Sequence, residues 1–172
     1  LLKMSKANVS RARNHGASKA QGEILVFLDA DTILDKDALQ KITVDFTELH
    51  GVATTKVKPD VPNNKFKLFM NFKNIANKTG VYKGWTSGVL ICRKKDFDVV
   101  NGYDHQREVR EQRNLILKLL KHGSFICIDT IATTSMRRFQ QWGLVKAARI
   151  WIKQTAIDRL GDISKSEYEK VR

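Results

Sequence analysis

The sequence predicts an α/β fold in a single domain, and three observations carry that prediction. Short apolar segments alternate with helical ones along the chain, without an internal repeat or a low-complexity linker. The run after Glu23 is continuously apolar, which is typical of a strand buried on both faces. The 172 residues, 42% hydrophobic and 28% charged, suit one hydrophobic core of ordinary globular composition.

The first half of the chain predicts two helices and two strands. Residues 8–21 are expected to be helical with a small-residue face, and residues 23–28 form the first strand. Asp35 is expected to cap a second helix whose apolar positions recur at helical spacing: Leu39, Ile42, Phe46 and Leu49. Residues 52–57 return as a strand.

The second half continues the alternation. Residues 65–77 predict an amphipathic helix with aromatic residues among lysines, and residues 88–92 predict a strand. A helix over 111–122 and a strand over 125–128 follow. Residues 140–160 again show a helical pattern with an apolar face and basic flanks.

The composition excludes some classes of protein. The longest apolar runs, such as residues 24–28, are far shorter than the roughly 18 residues of a membrane-spanning helix. Cys92 and Cys127 supply neither a disulfide framework nor a zinc site, which fits a reducing, cytoplasmic setting. The formal net charge of +13 attracts phosphates, anionic lipid surfaces and nucleic acids alike, and does not choose among them.

Asp29 and Asp31 flank one small residue where the first strand leaves the sheet. In open α/β sheets this edge faces the ligand crevice, so both carboxylates can point into it. Hard oxygen ligands select Mg²⁺ or Mn²⁺, which take their remaining ligands from water and substrate phosphates. The pair therefore indicates a nucleotide diphosphate site, although an isolated pair can equally cap the turn and the next helix.

Blocks that cover nearly the whole chain carry a resemblance to a known family. Residues 8–16 read Asn-Val-Ser-Arg-Ala-Arg-Asn-His-Gly, and residues 20–31 lead through the first strand to Asp-Ala-Asp. Residues 84–104 contain Gly-Trp-Thr-Ser-Gly and Asn-Gly-Tyr-Asp, residues 109–123 contain Val-Arg-Glu-Gln-Arg-Asn-Leu, and residues 134–139 read Thr-Ser-Met-Arg-Arg-Phe. In order and spacing these blocks resemble family-2 glycosyltransferases of the GT-A fold, of the subset with a Ser-x-Arg-Arg-aromatic segment.

The resemblance implies a three-layer GT-A sheet and a donor-binding role for several side chains. A sugar would pass from a nucleotide-diphosphate donor, a UDP- or GDP-sugar, to an acceptor hydroxyl or lipid phosphate, with inversion. Asp29 and Asp31 would hold the Mg²⁺ or Mn²⁺ ion. Contacts to the donor phosphates would come from Arg13, Asp29, Arg137 and Arg138.

The resemblance also implies an acceptor side, lined by Trp85, Ser87, Gly88 and Asp104. The acceptor would be a glycan or a polyprenyl phosphate. The chain departs from the family pattern at Glu111-Gln112, where the family usually has Glu-Asp and uses the second acid as general base. Because Gln cannot accept the proton, Glu111 is the base after a small register shift, or the reaction needs little base assistance, or the protein is catalytically weak.

The resemblance further predicts how the chain is divided. Residues 1–134 would form a partial GT-A domain that lacks the first nucleotide-binding strands, and residues 135–172 a C-terminal amphipathic helical extension. We expect the native protein to carry about 50 to 60 more residues at its amino end. A partial domain of this kind would expose a sheet edge and an incomplete nucleotide site.

The lysine-rich stretch of residues 56–83 leaves two interpretations open. It contains one acid, Asp60, and interleaves aromatic residues, as does the segment 142–151. Both segments would suit peripheral contact with the inner face of a membrane. Alternatively, the aromatic residues pack in the core or in a homodimer interface: Phe66, Phe69, Phe72, Trp142 and Trp151.

Two other function classes compete with the enzyme. Gln112 leaves open a catalytically weak, glycosyltransferase-like binding protein. A basic nucleic-acid-binding module is disfavoured, because the sequence has no RNP-like strand motif, zinc-finger spacing or basic helix with heptads. We therefore expect no nucleic acid partner.

Overall fold

The computed structural model describes residues 8–80, 86, 88–106 and 111–160, and within the last helix the side chains of residues 144, 148 and 151–160 are outside this description. The helices are α1 (Val9–Lys19), α2 (Ala38–Asp45), α3 (Asn64–Lys78), α4 (Lys94–Val99), α5 (Glu111–Leu119) and α6 (Arg137–Leu160). The strands are β1 (Ile24–Leu28), β2 (Thr32–Leu34), β3 (His50–Pro59), β4 (Val89–Arg93) and β5 (Ser124–Thr134). The alternation confirms the predicted α/β class.

The strands form one mixed sheet in the order β1-β4-β3-β5-β2. The central pair β3 and β5 is parallel, whereas β4 runs antiparallel to both β1 and β3, and β2 runs antiparallel to β5. Every residue of β4 is buried. By contrast β1 lies at one edge of the described sheet, and its last residue, Leu28, is 45% exposed.

Helices cover both faces of the sheet, and the side chains of β4 alternate between them. Ile91 joins a core with residues of α2, α3 and α6, including Met70, and we call this side the α3 face. Leu90 joins a second core with residues of α1, α4 and α5, including Leu115, and we call this side the α1 face. The two cores explain why the strand sequences are continuously apolar.

The predicted and observed strands differ most in β5, which extends to Thr134 instead of ending at Ile128. Beyond a register shift at Thr55 of β3, the parallel pairing resumes and continues until Thr134 lies opposite Pro59. A hydrophobicity pattern does not predict this extension, because polar residues follow Ile128. Pairing with a long neighbour, which no local pattern records, keeps them in the strand.

The second helix is shorter than predicted and begins later. Asp37, not Asp35, occupies the position before α2, and α2 ends at Asp45. Ile42 is buried as expected, but Leu39 and Leu49 are 62% and 78% exposed. The regular spacing of apolar residues therefore overstated the length of this helix.

The last helix begins at Arg137 and is interrupted at Gly143, whose φ of 74° and ψ of 156° are not helical. Gly tolerates a positive φ that would strain other residues, so the kink is located where the sequence permits it. Residues 161–172 of the predicted extension lie outside the described residues. None of the described helices combines the length and the hydrophobicity that crossing a bilayer requires.

Candidate active site

The candidate site begins where β1 ends, at Asp29. The Asp29 N–H donates to the carbonyl oxygen of Gly88 at 2.8 Å, directly before β4. Gly88 has a φ of 83°, and a Cβ atom there would collide with the side chain of Thr32. Gly88, predicted on the acceptor side, is therefore needed in the fold to let two chain segments approach beside Asp29.

Arg13 of α1 connects two carboxylates that are remote in sequence. Its Nη2 lies 2.6 Å from Asp29 Oδ1, and its Nη1 lies 2.9 Å from Glu111 Oε1 at the start of α5. Asp29 is 16 residues from Arg13 and Glu111 is 98 residues away. The side chains of Arg13 and Glu111 are only 14% and 15% exposed, and that of Asp29 is 37% exposed. Asp29 and Glu111, the acids predicted to serve the donor and the acceptor, thus share one guanidinium.

Tyr103 forms the floor under this guanidinium. The Arg13 Cζ atom lies 5.1 Å from the centre of the Tyr103 ring, and Phe27 of β1 meets the same ring edge-on at 5.2 Å. Burial raises the pKa of the Tyr103 phenol, so this ring stays neutral. Burial alone would lower the Arg13 pKa, but attraction to the carboxylates of Asp29 and Glu111 raises it above its ordinary value. Arg13 is therefore a permanent positive charge on a neutral aromatic support.

The Asn-Gly-Tyr-Asp turn is held in place by Asn14, the neighbour of Arg13. The Asn14 Nδ2 donates to the Tyr103 carbonyl at 2.8 Å, and the Asn14 Oδ1 accepts from the Tyr103 N–H at 2.9 Å. Gly102 has a φ of 58°, and a Cβ there would lie 2.7 Å from both Asn14 Oδ1 and the Phe97 ring. The predicted acceptor residue Asp104 follows this turn and accepts from the Gln106 N–H at 3.0 Å. Its contact with an acceptor stays a prediction.

Gln112 lies beside Glu111 in the first turn of α5 and has a partner of its own. Its Oε1 accepts a hydrogen bond from the hydroxyl of Thr86. Thr86 belongs to the Gly-Trp-Thr-Ser-Gly block, so this bond brings the predicted acceptor segment to α5. The sequence prediction did not select Thr86 as a site residue, although its position between Trp85 and Ser87 could have suggested it. Trp85 and Ser87 lie outside the described residues.

Asp31 is exposed and lies next to the Ser-Met-Arg-Arg segment. Its carbonyl oxygen accepts from the Ser135 N–H at 3.2 Å. Arg137 and Arg138 follow on the exposed side of the first turn of α6. The Arg138 guanidinium lies over the Trp142 ring at 5.6 Å. The structure thus brings the backbone of this segment to Asp31, while metal binding by Asp31 and phosphate binding by the two arginines stay predictions.

Two aspartates, Asp29 and Asp31, are the candidate metal ligands of this site. Among the residues that the structure describes, no group of three or more His, Cys, Asp or Glu side chains converges in the manner of a metal cage. Asp29 and Asp31 offer hard oxygen ligands in the short connection between β1 and β2, and Asp31 is open to solvent. This donor set fits a cation that takes most of its ligands from water and substrate phosphates, as Mg²⁺ and Mn²⁺ do.

Comparison with known proteins bears on the family of the chain. The family model described as "Glycosyl transferase family 2" matches residues 2–142. None of the curated protein sequences matches the chain.

Solved structures with a similar fold include a mannosyltransferase and two proteins that were solved with UDP. The mannosyltransferase PcManGT from Pyrobaculum calidifontis, in complex with GDP-Man and Mn²⁺, has a TM-score of 0.66 and 16% identity, over 94% of this chain and 47% of its own. GalNAc-T7 with UDP, GalNAc and Mn²⁺ has a TM-score of 0.54 and 12% identity, over 92% of this chain and 40% of its own. S. aureus TarS with UDP has a TM-score of 0.50 and 18% identity, over 78% of this chain and 42% of its own.

These likenesses bear on the fold. The GT-A sheet predicted from the sequence is confirmed, with helices on both of its faces. The chain spans less than half of the length of each of these solved structures.

Proposed function

The chain belongs to glycosyl transferase family 2, and from this premise we propose that the protein moves a sugar from a nucleotide-diphosphate donor to an acceptor hydroxyl or lipid phosphate. The observation that carries the proposal is the Arg13 bridge, which holds Asp29 and Glu111 on one guanidinium at the exit of β1. Donor and acceptor must meet at a single point for direct transfer. A shared guanidinium keeps the two acids that serve them at a fixed separation.

We propose that Asp29 and Asp31 hold a divalent cation, Mg²⁺ or Mn²⁺, together with the donor diphosphate. When bound, the ion would neutralise negative charge that develops on the departing phosphate. Asp29 already has one of its oxygens bonded to Arg13, so its other oxygen and the exposed Asp31 carboxylate are the sites left for the cation. PcManGT and GalNAc-T7 were solved with Mn²⁺, which supports the choice of ion.

We propose Glu111 as the general base that accepts the proton of the acceptor hydroxyl. Gln112 cannot do so, and its carbonyl oxygen is already bonded to Thr86. One Glu111 oxygen is bonded to Arg13, which orients the carboxylate and leaves its second oxygen for the acceptor. Attack by that hydroxyl on the face of the sugar opposite the leaving diphosphate would invert the anomeric centre.

We propose that Arg137 and Arg138 contact phosphate, either of the donor or of a phosphorylated acceptor. Their segment starts at Ser135, whose N–H donates to the carbonyl oxygen of Asp31, so the start of α6 lies near one of the two acids proposed to bind the metal. Planar guanidinium groups match pairs of phosphate oxygens and are always charged. The donor would be a UDP- or GDP-sugar, the nucleotides present in the similar structures. The acceptor would be a glycan or a polyprenyl phosphate.

We also propose that residues 1–134 are part of a GT-A domain that is completed at β1. In the described sheet β1 is an edge strand with an apolar sequence, and such edges are normally paired or covered. Further strands at this edge would extend the sheet beside Asp29, where a nucleotide base and ribose need a surface. Residues 135–172 would form a helical extension.

The test is turnover of UDP- and GDP-sugars by the full-length protein with Mn²⁺, after a thermal-shift screen that selects the donor. We expect Asp29→Ala to lower kcat/KM at least about 100-fold, because metal and diphosphate lose a shared ligand. EDTA should abolish the donor-dependent thermal shift. Asp98→Ala, which removes an exposed carboxylate of α4, is the matched control and should leave turnover unchanged.

Two outcomes would contradict the proposal. Full turnover by Asp29→Ala would remove the metal assignment. If the wild-type protein binds a sugar nucleotide but neither transfers nor hydrolyses any, the second candidate function holds, a catalytically weak glycosyltransferase-like binding protein. Gln112, with its amide already bonded to Thr86 in the place of an acid, is the observation that favours this alternative.

A further inference from the structure

The outer side of α3 carries an exposed apolar stripe. Leu68, Phe72 and Ile75 are 72%, 61% and 62% exposed, and their spacing of four and three residues places them on one side of the helix. The opposite side of α3 is anchored in the core through Phe66 and Met70. Contiguous apolar surface of this kind usually marks a site of interaction.

The residues around the stripe are basic. Lys65, Lys67 and Lys78 are all exposed, and α3 contains no acidic residue. Asp129 of β5 attracts Lys78, but its carboxylate is already bonded to Lys56 at 2.5 Å. The surface therefore combines an apolar centre with a positive rim.

The same character continues on α6. A groove of about 550 Å³ separates the start of α3 from α6, with Phe66 and Phe139 in its lining. Val145, on the α6 side of the groove, is 66% exposed. Residues 137–157 contain basic residues and no acid. Lys65 of the rim also lines this groove, so the exposed basic residues at the start of α6 lie close to the start of α3.

We propose that Leu68, Phe72, Ile75 and the three lysines form a docking face for an anionic lipid bilayer, with α3 lying in the plane of the membrane surface. Interfacial helices insert an apolar stripe at the level of the headgroups, while basic residues at its flanks contact the anionic lipids. The protein would then act at the inner, cytoplasmic face of the membrane. Peripheral binding of this kind needs no membrane-spanning helix.

The combination of charge and apolar surface favours a bilayer over a second copy of the chain or a nucleic acid. A symmetric dimer through α3 would set the same patch against itself and bring lysine rims together without an acid from either helix. A nucleic acid would satisfy the lysines through its phosphates but would leave the apolar stripe in water. An anionic bilayer satisfies both parts of the surface.

The docking face is connected to the candidate active site through Asp60, which precedes α3. The Asp60 carboxylate accepts from the Met136 N–H at 2.9 Å, and the neighbouring Ser135 N–H is bonded to Asp31. A docked α3 would therefore bring Arg137 and Arg138 towards the headgroup layer, where a polyprenyl phosphate would present its phosphate. This last step rests on the proposed function, whereas the docking itself does not.

Co-sedimentation of the full-length protein with vesicles, in the absence of donor, tests the docking face. We expect it to pellet with phosphatidylcholine vesicles containing about 30% phosphatidylglycerol, to stay in solution with phosphatidylcholine alone, and to be released by salt. The triple variant Leu68→Glu, Phe72→Glu and Ile75→Glu should lower the partition coefficient at least about tenfold. Val99→Glu is the matched control, since Val99 is 68% exposed on α4 of the α1 face.

A second variant tests the contribution of the lysines to binding separately from that of the apolar stripe. Lys65→Glu with Lys67→Glu should reduce binding to the anionic vesicles while leaving far-UV circular dichroism and the melting temperature unchanged. Equal binding by the wild type and the triple variant would overturn the proposal, as would absence of wild-type binding. A wild-type dimer in light scattering that the triple variant converts to a monomer would assign the face to a second copy and overturn it as well. Hydrolysis of a soluble donor, measured in parallel, reports on the proposed reaction independently.

Discussion

The two faces of the sheet differ in whether their charged side chains are buried or exposed. On the α1 face, Arg13 is largely buried and bonded to both Asp29 and Glu111, above the neutral ring of Tyr103. On the α3 face, the exposed lysines of α3 surround an apolar stripe on a helix without acids. Buried charges must be paired, because isolated ones lose their hydration without compensation. Exposed charges remain available to a partner, so we propose the α1 face for chemistry and the α3 face for attachment.

The largest expected effect tests the paired side of this comparison. Arg13→Ala leaves Asp29 and Glu111 near each other without their cation, so both acids should lose their orientation. We expect kcat/KM for the donor to fall at least about 100-fold, with stability reduced by about 3 kcal/mol, as for other broken buried pairs. Urea titration and steady-state kinetics would measure the two losses separately.

The control for Arg13 is an exposed cation of the other face. Lys41→Ala breaks the exposed pair with Asp37 on α2 and should leave the urea midpoint almost unchanged, because exposed ion pairs contribute little to stability. Arg13→Lys should recover stability better than turnover, because a lysine cannot hold Asp29 and Glu111 at once in the geometry that the two guanidinium nitrogens give them. Wild-type kinetics in Arg13→Ala would show that the bridge has no part in catalysis.

Two glycines allow the packing of the two faces to be compared directly. Gly102 on the α1 face and Gly143 in α6 both have a positive φ, of 58° and 74°. An added Cβ at Gly102 would meet Asn14 and Phe97 at 2.7 Å, whereas nothing lies within 4 Å at Gly143. We expect Gly102→Ala to destabilise by about 3 kcal/mol and Gly143→Ala by about 1 kcal/mol, since only the first adds a clash to the backbone strain.

Thermal unfolding of the two glycine variants would measure that difference. Gly102→Ala should also reduce turnover, because the turn carries the Tyr103 ring under Arg13. Equal destabilisation by both variants would contradict this prediction. It would mean that the residues around Gly102 accommodate the added methyl group without a further energetic cost.

The smallest expected effect concerns Lys73, whose ammonium is buried on the α3 face, unlike that of its neighbours on the helix. Burial lowers the pKa of Lys73 to about 7. Between that value and the unfolded pKa of about 10, the unfolded chain binds more protons, so stability should rise with pH. From pH 7 to about pH 8.5 we expect an increase of at most about 2 kcal/mol. The Cys92 thiol, whose pKa burial raises to about 12, opposes this trend only at higher pH.

Urea unfolding at the two pH values would test Lys73. Lys73→Met keeps the length and removes the charge, so its stability should not rise over this range. Lys78→Met, at an exposed position of the same helix, should keep the wild-type pH dependence. An unchanged pH dependence in Lys73→Met would mean that another group is responsible.

Several elements could be predicted from local patterns alone. The apolar run before Asp29 predicted β1, and Asn8 caps α1 where the helical pattern begins. Regular spacing failed where tertiary contacts override it, as at Leu39 and Leu49, which are exposed, and in the polar end of β5. The elements predicted best are those whose pattern depends only on neighbouring residues within one strand or one helix.

The aromatic residues of the basic helices show the same limit. The sequence left open whether they pack inward or face a partner. Phe66, Phe69 and Trp142 pack against the core of the α3 face, whereas Phe72 is exposed beside Leu68, and the side chain of Trp151 lies outside the described residues. Only the way α3 lies on the sheet decides which of its apolar residues are covered.

For this protein the sequence alone determined the family, the order of the main elements and the acids at the exit of β1, because these depend on neighbours along the chain. The tertiary structure decided that Arg13 would join Asp29 to Glu111 across 98 residues, and that Gln112 would bond to Thr86. It also decided that α3 would expose an apolar stripe. Contacts between distant segments depend on how the helices pack on the sheet, and that packing is a property of the whole core.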